Sequence, residues 1–592
     1  MEILLIVVGG LVLLTATSML ASRIGIVAPL LLLLIGIGIG YIPGVPPTIL
    51  NPEIILIGVL PPLLYGAAVN LPVIDLRRNR KPIFWLSFVL VVVTALIIGF
   101  LLHWIVPAIP LPAAIALGAV VAPPDAVAAT SVGKRVGMPA RLVTILEGES
   151  LLNDATSLVL LRTAIAAMAG SFFFWDAVGS FVYAVAVATA VGFVVGAATV
   201  WIRSHLSNPV HDTMISFIVP FIAFIPAEEL GASGVLAVVI AGLYTGHHAP
   251  QHFSATSRIN ERMNWRTVKF VLENGVFLIM GLETHALIDE VQDESFPIHH
   301  VALLALLVFV VLVVIRMIAM FPVVWQVRKS TERYEAMQER IMRAKRSHKD
   351  RYENGDEAEP STKEMQYASW LARASRRVEA DVNYAREEGL DWRGSVLLGW
   401  SGMRGVVTLA AAQTIPENVP FRAHIILIAF GAATLSLLVH GFTLPPLVRA
   451  LKPADPASDG HLEELHTLHE ELLIAAEHAI DQAVTEANVG GDSNGNGDLS
   501  ESVIKQAKVA SAAAIAPLLL ATSLDGGSRE PGALTGQTET DKLVELTLLG
   551  IEASREELLE LRTIGMYSSP ALQLASRSID IFELRYAPPK KG

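Results

Sequence analysis

The stretch Gly148–Asp154, with the sequence GESLLND, decides how the rest of this chain is interpreted. It lies within the apolar segment 142–168, which is long enough to cross a lipid bilayer as one helix. A charged side chain at that depth costs at least about 2.5–3.5 kcal/mol, so two carboxylates and an amide there indicate function or pairing. We therefore expect the other segments to support this stretch.

Helical spacing divides the polar side chains of this stretch between two faces. Glu149 and Asn153 are four residues apart on one face, and Ser150 and Asp154 are four apart on the neighbouring face. One face therefore carries a carboxylate with an amide, and the other carries a hydroxyl with a carboxylate. This arrangement predicts one structural pair and one ligand-binding pair.

The composition is typical of a membrane protein with many spans. The 592 residues are 53% hydrophobic and 17% charged, with a mean hydropathy of +0.52. The net charge of −12 says little about partners, because the charges are confined to a few loops and the C-terminal third. The absence of cysteine excludes disulfides, thiolate metal sites and thiol nucleophiles.

Apolar segments of membrane-spanning length recur through the first 450 residues and predict an all-α polytopic fold with about thirteen spans. Basic and non-basic loops alternate between these spans if the N-terminus lies outside and the C-terminus lies in the cytoplasm. The predicted spans are 3–21, 26–43, 52–71, 83–106, 112–131, 142–168, 177–203, 211–226, 231–246, 267–288, 299–326, 395–414 and 421–447.

Two regions fall outside the spans of the transmembrane domain, 1–450. Residues 327–394 are expected to form a cytoplasmic insertion with a basic first part. It is interpreted as a solvated helical excursion near anionic headgroups, with a dedicated regulatory or partner site as the alternative. Residues 451–592 are more polar, and their apolar residues recur at helical spacing. We expect this C-terminal part to be a cytoplasmic, helical, regulatory region.

Two further polar clusters interrupt apolar spans. Pro123 and Pro124 precede Asp125 halfway along the fifth span, where they remove backbone donors and break the helix. In the twelfth span, glycines on both sides of Arg404 mark a second break, and a buried guanidinium needs a carboxylate partner. One broken span in each half of the chain is typical of an inverted-repeat transporter.

Six motifs occur in a fixed order: PPLL at 61–64, the break at Asp125, GESLLND at 148–154, SGVLA at 233–237, FLIMGLE at 277–283 and GMRG at 402–405. Together they resemble the monovalent cation:proton antiporter-1 family, which contains bacterial NhaP-type sodium/proton antiporters and animal sodium/proton exchangers. The likeness covers about residues 1–450, and the stretch ending in Asn153 and Asp154 is its most specific part.

The resemblance implies a homodimer in the lipid bilayer of a bacterial inner membrane. Each protomer would have thirteen spans, a dimerisation domain and a mobile core domain containing two interrupted, crossing helices. It would exchange one monovalent cation, Na⁺ or Li⁺, for one H⁺ by an elevator-type movement. No cofactor and no nucleic-acid partner are implied.

The resemblance also implies a role for each matched residue. Asp154 would hold proton and cation alternately, Ser150 would supply an oxygen ligand, and Asp125 would support the site from the broken span. Glu149 would pair with Arg404. Asn153 stands where electrogenic relatives have a second Asp, which implies electroneutral exchange.

Arg316, alone in the apolar eleventh span, would match the family's cation near the crossing of the broken helices. The chain departs from the family pattern at two positions. Gly66 follows Tyr65 where the family usually has Glu, and Pro124 precedes Asp125 where it usually has Thr, so that only the Pro124 carbonyl is available there. Potassium/proton exchange is therefore an alternative to sodium/proton exchange.

A cation channel or membrane sensor, in which the acidic site gates rather than carries, is the alternative from another class. The broken helix in each half favours a carrier, because a channel more usually has symmetric pore-lining repeats. An enzyme is not expected, since the sequence offers no metal triad, nucleophile–base pair or phosphate-binding loop where a substrate would reach it.

Overall fold

The regular elements of the described chain are all helices, in agreement with the predicted all-α fold. The computed structural model describes residues 2–24, 28–43, 52–168, 174–206, 208–292, 297–353, 362–387, 391–451, 457–490, 500–520 and 537–586.

The first nine helices contain the predicted site stretch. They are α1 (Glu2–Ile24), α2 (Ala28–Gly40), α3 (Leu60–Asn70, after the π-helical turn Ile54–Val59), α4 (Val73–Arg78), α5 (Arg80–Phe84), α6 (Leu90–Ile105, joined to α5 by the π-helical turn Trp85–Val89), α7 (Leu111–Val121), α8 (Ala126–Arg135) and α9 (Ala140–Met168).

Nine further helices complete the membrane part and the insertion, and five form the C-terminal region. They are α10 (Phe174–Ser204), α11 (Pro209–Glu229), α12 (Gly234–His252), α13 (Ala255–Gln292), α14 (Ile298–Glu353), α15 (Thr362–Glu387), α16 (Trp392–Trp400), α17 (Val406–Gln413), α18 (Arg422–Leu451), α19 (Ala457–Gly490), α20 (Glu501–Ile515), α21 (Pro517–Leu520), α22 (Gln537–Ile564) and α23 (Ser569–Tyr586).

Several helices have the length and composition of membrane spans. Seven of the described helical segments are long and apolar enough, and four shorter apolar helices coincide with other predicted spans. The predicted fifth and twelfth spans are each divided into two short helices, which confirms the two interruptions. The number thirteen stays a prediction. The seven are Arg80–Ile105, Ala140–Met168, Val178–Ser204, Pro209–Glu229, Ala255–Asp289, Ile298–Ser347 and Arg422–Leu451.

The membrane helices pack as two bundles with a cavity between them. The first bundle contains α1–α3 and α10–α13, and the second contains α5–α9, α14 and α16–α18. Within the first bundle, α2 and α13 approach closely at Gly36 and Gly281, where a methyl group on either residue would overlap the backbone of the other helix. Small residues permit this close packing in a bilayer.

The C-terminal helices α19–α23 form a separate helical domain with its own apolar core. The helices predicted there from apolar spacing are present, and the domain rests on the membrane part through α23 on α13 and α22 on α15. We call the end of the bundles that this domain covers the tail side. Buried core residues include Leu468, Leu472, Ile515, Leu558 and Leu572.

Candidate functional site

The first helix break is held open by side chains of α9. Pro123 has no backbone N–H, so the carbonyl of Ala119 loses its usual helical donor. The Ser157 hydroxyl donates to that carbonyl at 2.8 Å, and the Asn153 side-chain amide donates to the Pro124 carbonyl at 3.0 Å. The carbonyls released by the break are therefore satisfied by the helix that carries the site stretch.

The second break meets the first directly. The backbone N–H of Asp125 donates to the carbonyl of Met403 at 2.6 Å. The two interrupted segments, both in the second bundle, are therefore joined by a hydrogen bond. A methyl group added at Gly405 would overlap the Asp125 carboxylate, and one added at Gly402 would overlap the side chain of Arg316. The glycines of the second break thus make room for two charged side chains.

The two faces of the site stretch lie in different surroundings. Ser150 and Asp154 line the cavity between the bundles. Glu149 and Asn153 are fully buried in the interior of the second bundle, with no exposed surface. Asp154 is 7% exposed, and among the described residues its carboxylate has no ion-pair or hydrogen-bond partner.

Glu149 forms a buried, bidentate ion pair with Arg316. Its two oxygens lie 2.6 Å and 2.8 Å from the Nη1 and Nη2 atoms of the guanidinium, and both side chains are almost without solvent contact. The predicted pairing of Glu149 with Arg404 is therefore wrong as a direct contact. The reason is geometric, because α14 presents Arg316 to Glu149 in the space left by Gly402.

Arg404 lies beside this pair without joining it. Its backbone N–H donates to the Ser436 hydroxyl at 3.1 Å, while its side-chain Nε and Nη1 have no hydrogen-bond partner in the described part of the chain. Arg404 interacts electrostatically with both Arg316 and Glu149. One carboxylate thus faces two guanidinium groups, which leaves this buried corner with an excess of positive charge.

The cavity joins the predicted site to the tail side and has a volume of about 1980 Å³. At its inner end lie Pro124, Asp125, Ser150 and Asp154. Its other walls include basic residues near the ends of membrane helices and of α22 in the C-terminal domain, namely Arg78, Lys134, Arg141, Arg258, Arg262 and Arg562. One continuous cavity therefore has both Asp154 and the C-terminal domain in its walls.

Gly66 lines the same cavity but offers no side chain to it. The indole of Trp265 from α13 packs over this glycine, so a methyl group at position 66 would already crowd the ring. The Glu that the family pattern usually has after the aromatic residue, here Tyr65, therefore has no counterpart on α3.

Two residues, Glu273 and Asp580, were not assigned a role by sequence reasoning. Glu273 of α13 lines the cavity. An ionisable residue inside an apolar segment was a signal that sequence reasoning could have used to place it there. Asp580 of α23 is 1% exposed and binds arginines of α13 that are more than 300 positions away, a contact that no local pattern indicates.

The donor groups at the inner end of the cavity are all oxygen atoms. In the described ranges, no group of three or more His, Asp or Glu side chains is placed to hold a metal ion. The side chains that line it there are the Asp154 carboxylate, the Ser150 hydroxyl and the Asp125 carboxylate, which carry oxygen atoms of the kind that hard cations take as ligands. A cation that binds and leaves is compatible with this set.

Comparison with known proteins agrees with the resemblance seen in the motifs. Residues 10–450 match the sequence profile described as sodium/hydrogen exchanger, transmembrane. The chain is 29% identical over 504 residues to the sodium, potassium, lithium and rubidium/H⁺ antiporter of Bacillus pumilus, covering 82% of this chain and 67% of that protein. It is 25% identical to the Na⁺/H⁺ antiporter ApNhaP of Aphanothece halophytica, covering 72% and 68%.

A solved structure has the same fold. The sodium proton antiporter MjNhaP1 of Methanocaldococcus jannaschii matches with a TM-score of 0.55 and 17% identity, over 76% of this chain and 99% of that one. At this identity the match supports the architecture alone. The C-terminal helices lie beyond the range that the family profile covers.

Proposed function

Because the chain belongs to the sodium/hydrogen exchanger family, a family of membrane transporters, we propose that it is a secondary active antiporter that exchanges Na⁺ for H⁺. The proton and the cation would bind alternately to Asp154, and no cofactor would take part. Ser150 and Asp125 would supply further oxygen ligands to the cation. The names of its relatives, which include antiporters of sodium and of other alkali cations, support this proposal.

The observation that carries the proposal is the isolation of the Asp154 carboxylate. It is nine-tenths buried, has no partner among the described residues and faces the inner end of a large cavity. An unpaired buried charge is strongly unfavourable, so Asp154 is stable in the interior when it is protonated or when it holds a cation. A carrier that moves only in these two forms couples cation flow to proton flow.

The charge count at the site predicts electroneutral exchange. Asn153, beside Asp154, is an amide whose side chain is committed to the Pro124 carbonyl. Glu149 is neutralised by Arg316 and faces away from the cavity. Asp154 would then take up either one H⁺ or one monovalent cation, and the two loaded forms would carry the same charge.

The arrangement of the chain in the membrane is also part of the proposal. Basic residues at the helix ends line the cavity on the tail side, so the tail side would be cytoplasmic by the positive-inside rule, with the N-terminus outside. We infer a multi-pass protein of a bacterial inner membrane, with 1–450 as the transport domain and 451–592 as a regulatory region. The first bundle would form the homodimer, as in the resembling family.

Transport by the purified chain in proteoliposomes tests this proposal. A pH gradient is imposed, Na⁺, Li⁺ or K⁺ is added in parallel samples, and the membrane voltage is clamped at positive or negative values. The proposal predicts that Na⁺ collapses the pH gradient at a rate that does not depend on voltage. A response to K⁺ alone would favour potassium/proton exchange, and conductance without proton movement would favour a channel.

A further inference from the structure

A second carboxylate faces the cavity from the opposite bundle. Glu273 lies on α13 of the first bundle, whereas Asp154 lies on α9 of the second, and both line the same cavity. Helical rise places Glu273 about 22 Å beyond Arg258, and Asp154 about 20 Å beyond Arg141, counted from the tail side. Both carboxylates therefore lie well inside the cavity, on walls formed by different bundles.

The partner of Glu273 holds it only loosely. Lys269, one turn earlier on α13, places its Nζ 3.4 Å from Oε1, and its own side chain is 35% exposed. That distance is long for a charge-assisted hydrogen bond, which is usually about 2.7–2.9 Å. The Glu273 Oε1 atom is buried and makes no hydrogen bond within the described residues. The carboxylate also interacts electrostatically with Asp125 at the inner end of the cavity.

We propose that Glu273 is a second cation-binding carboxylate, which holds the cation on the opposite wall of the cavity and exchanges it with Asp154. Lys269 is a tethered competitor that occupies Glu273 until a cation displaces its ammonium group. The proposal rests on the proposed antiport function, and Asp154, unpartnered and aimed into the same cavity, is the destination. An ionisable side chain at this depth without a firm partner is otherwise costly.

The proposal predicts opposite effects for the two members of the pair. In proteoliposomes, Glu273→Gln raises the half-saturating Na⁺ concentration by about tenfold, because the carboxylate that binds the cation is lost, whereas the charge of Glu147 is already neutralised by Lys134. Lys269→Gln lowers it, because the competitor is gone. Glu147→Gln is the matched control, since Glu147 of α9 lines the cavity near its exposed side and is paired with Lys134 at 2.7 Å. This control keeps the wild-type value.

Two results would overturn this inference. One is a Glu273→Gln variant with the same half-saturating concentration as Glu147→Gln, and the other is a shift in the same direction for Glu273→Gln and Lys269→Gln. Na⁺-dependent thermal stabilisation of the purified proteins separates this outcome from failure of the antiport function. Wild type that is neither stabilised by Na⁺ nor active contradicts antiport itself, whereas stabilised wild type with equally stabilised Glu273→Gln contradicts only the role of Glu273.

A different observation concerns the C-terminal domain. Asp580 of α23 is 1% exposed and accepts hydrogen bonds from three arginines. Two of them lie on α13: Arg258 contacts it at 2.6 Å and 3.0 Å, and Arg262 at 2.5 Å. The third, Arg555 of α22, lies at 3.2 Å. One carboxylate therefore ties the first bundle to the C-terminal domain.

A second set of contacts joins the same domain to the other side of the cavity. Arg78, the last residue of α4, donates to Asp381 of α15 and to the carbonyl of Gly565, each at 2.7 Å. Gly565 ends α22 with a positive φ of 76°, a conformation that favours glycine. Helix α15 packs on α14 of the second bundle and on α22. The domain thus contacts the first bundle through α23 and is linked to the second bundle through α15 and through α4, which packs on α5 and α9, and it lines the cavity on the tail side.

We infer that the C-terminal domain is a clasp that holds the two bundles in the conformation seen here and slows transport. Movement of the second bundle past the first requires the contacts at Asp580 or at Arg78 to open. Breaking a buried ion pair leaves uncompensated charge, so the clasp resists that movement. Release of the clasp therefore increases the turnover rate of antiport.

Two variants of the full chain test the clasp. Asp580→Asn removes the shared carboxylate, and Arg262→Gln weakens only the contact with α13 while Arg555 still binds Asp580. We expect both to increase the maximal antiport rate severalfold and to increase hydrogen exchange in α23. Asp541→Asn, at an exposed position of α22, leaves both unchanged. The inference would be overturned by increased hydrogen exchange in α23 without a faster antiport rate in either variant, or by unchanged hydrogen exchange in both.

Discussion

At the scale of single residues, the site separates one mobile charge from one fixed charge. Asp154 faces the cavity with no partner in the described chain, while Glu149, five residues earlier on α9, is locked to Arg316 in the interior. The same helix therefore supplies a carboxylate that can exchange ligands and a carboxylate that cannot. This division follows from the helical period, which puts the two on neighbouring faces.

The buried pair predicts a stability effect. Glu149→Gln leaves the Arg316 guanidinium buried and unpaired, which is expected to destabilise the protein by about 3–5 kcal/mol. Glu149→Gln combined with Arg316→Gln is less destabilised than the sum of the single variants, because neither charge is then left alone. Thermal unfolding of the purified variants measures both effects.

The matched control for that measurement is an exposed pair. Arg343 and Glu339, both more than 70% exposed, lie 3.0 Å apart on α14 outside the bundles, and Glu339→Gln is expected to change stability by less than about 1 kcal/mol. Equal destabilisation by Glu149→Gln and Glu339→Gln would contradict the structural role of the buried pair.

Sequence reasoning could place these residues but could not choose their partners. Charge alone requires a cation for Glu149, and both Arg316 and Arg404 satisfy that requirement. The choice depends on how α14 is rotated about its own axis and on the space above Gly402. Neither can be predicted from sequence, because the apolar span in α14 has no periodic pattern of polar residues that would indicate its orientation. The direct pairing of Glu149 with Arg404 was wrong for this reason.

At the scale of elements, the two helix breaks could be predicted from sequence because the residues that cause them lie at the breaks themselves. Two consecutive prolines cannot continue a helix, and glycines around a buried arginine mark an interruption. The hydrogen-bond donors to the carbonyls freed by the first break could not be predicted from sequence. It depends on Ser157 and Asn153 of α9 reaching across to α7, which requires the packing of two helices to be known.

The contact between the two helix breaks leaves no room for a side chain at Gly405. A methyl group at this position would overlap the Asp125 carboxylate, so Gly405→Ala is expected to displace Asp125 and reduce antiport by more than about tenfold. Gly441→Ala in α18 is the control, because a methyl group there meets Leu30 at an ordinary 3.7 Å. Antiport rates in proteoliposomes, with melting temperatures to confirm folding, provide the measurement. Wild-type transport by Gly405→Ala would contradict the arrangement.

At the scale of the whole molecule, the structure combines two bundles, a cavity and a domain that covers the cavity. The polytopic character and the division between membrane and C-terminal parts were predicted from hydropathy and charge, since both are averages over many residues. The position of the C-terminal domain was not. Its contacts join positions such as Arg262 and Asp580, 318 residues apart, through single side chains with no sequence pattern of their own.

The central claim, that one carboxylate binds both the proton and the cation, is tested most directly with Asp154→Asn. Purified wild type and Asp154→Asn are reconstituted in proteoliposomes, and Na⁺-driven proton movement is measured at clamped voltage. Wild type is expected to exchange Na⁺ for H⁺, while a folded Asp154→Asn shows no exchange above protein-free liposomes. Proton-coupled Na⁺ flux that persists in Asp154→Asn would contradict the account.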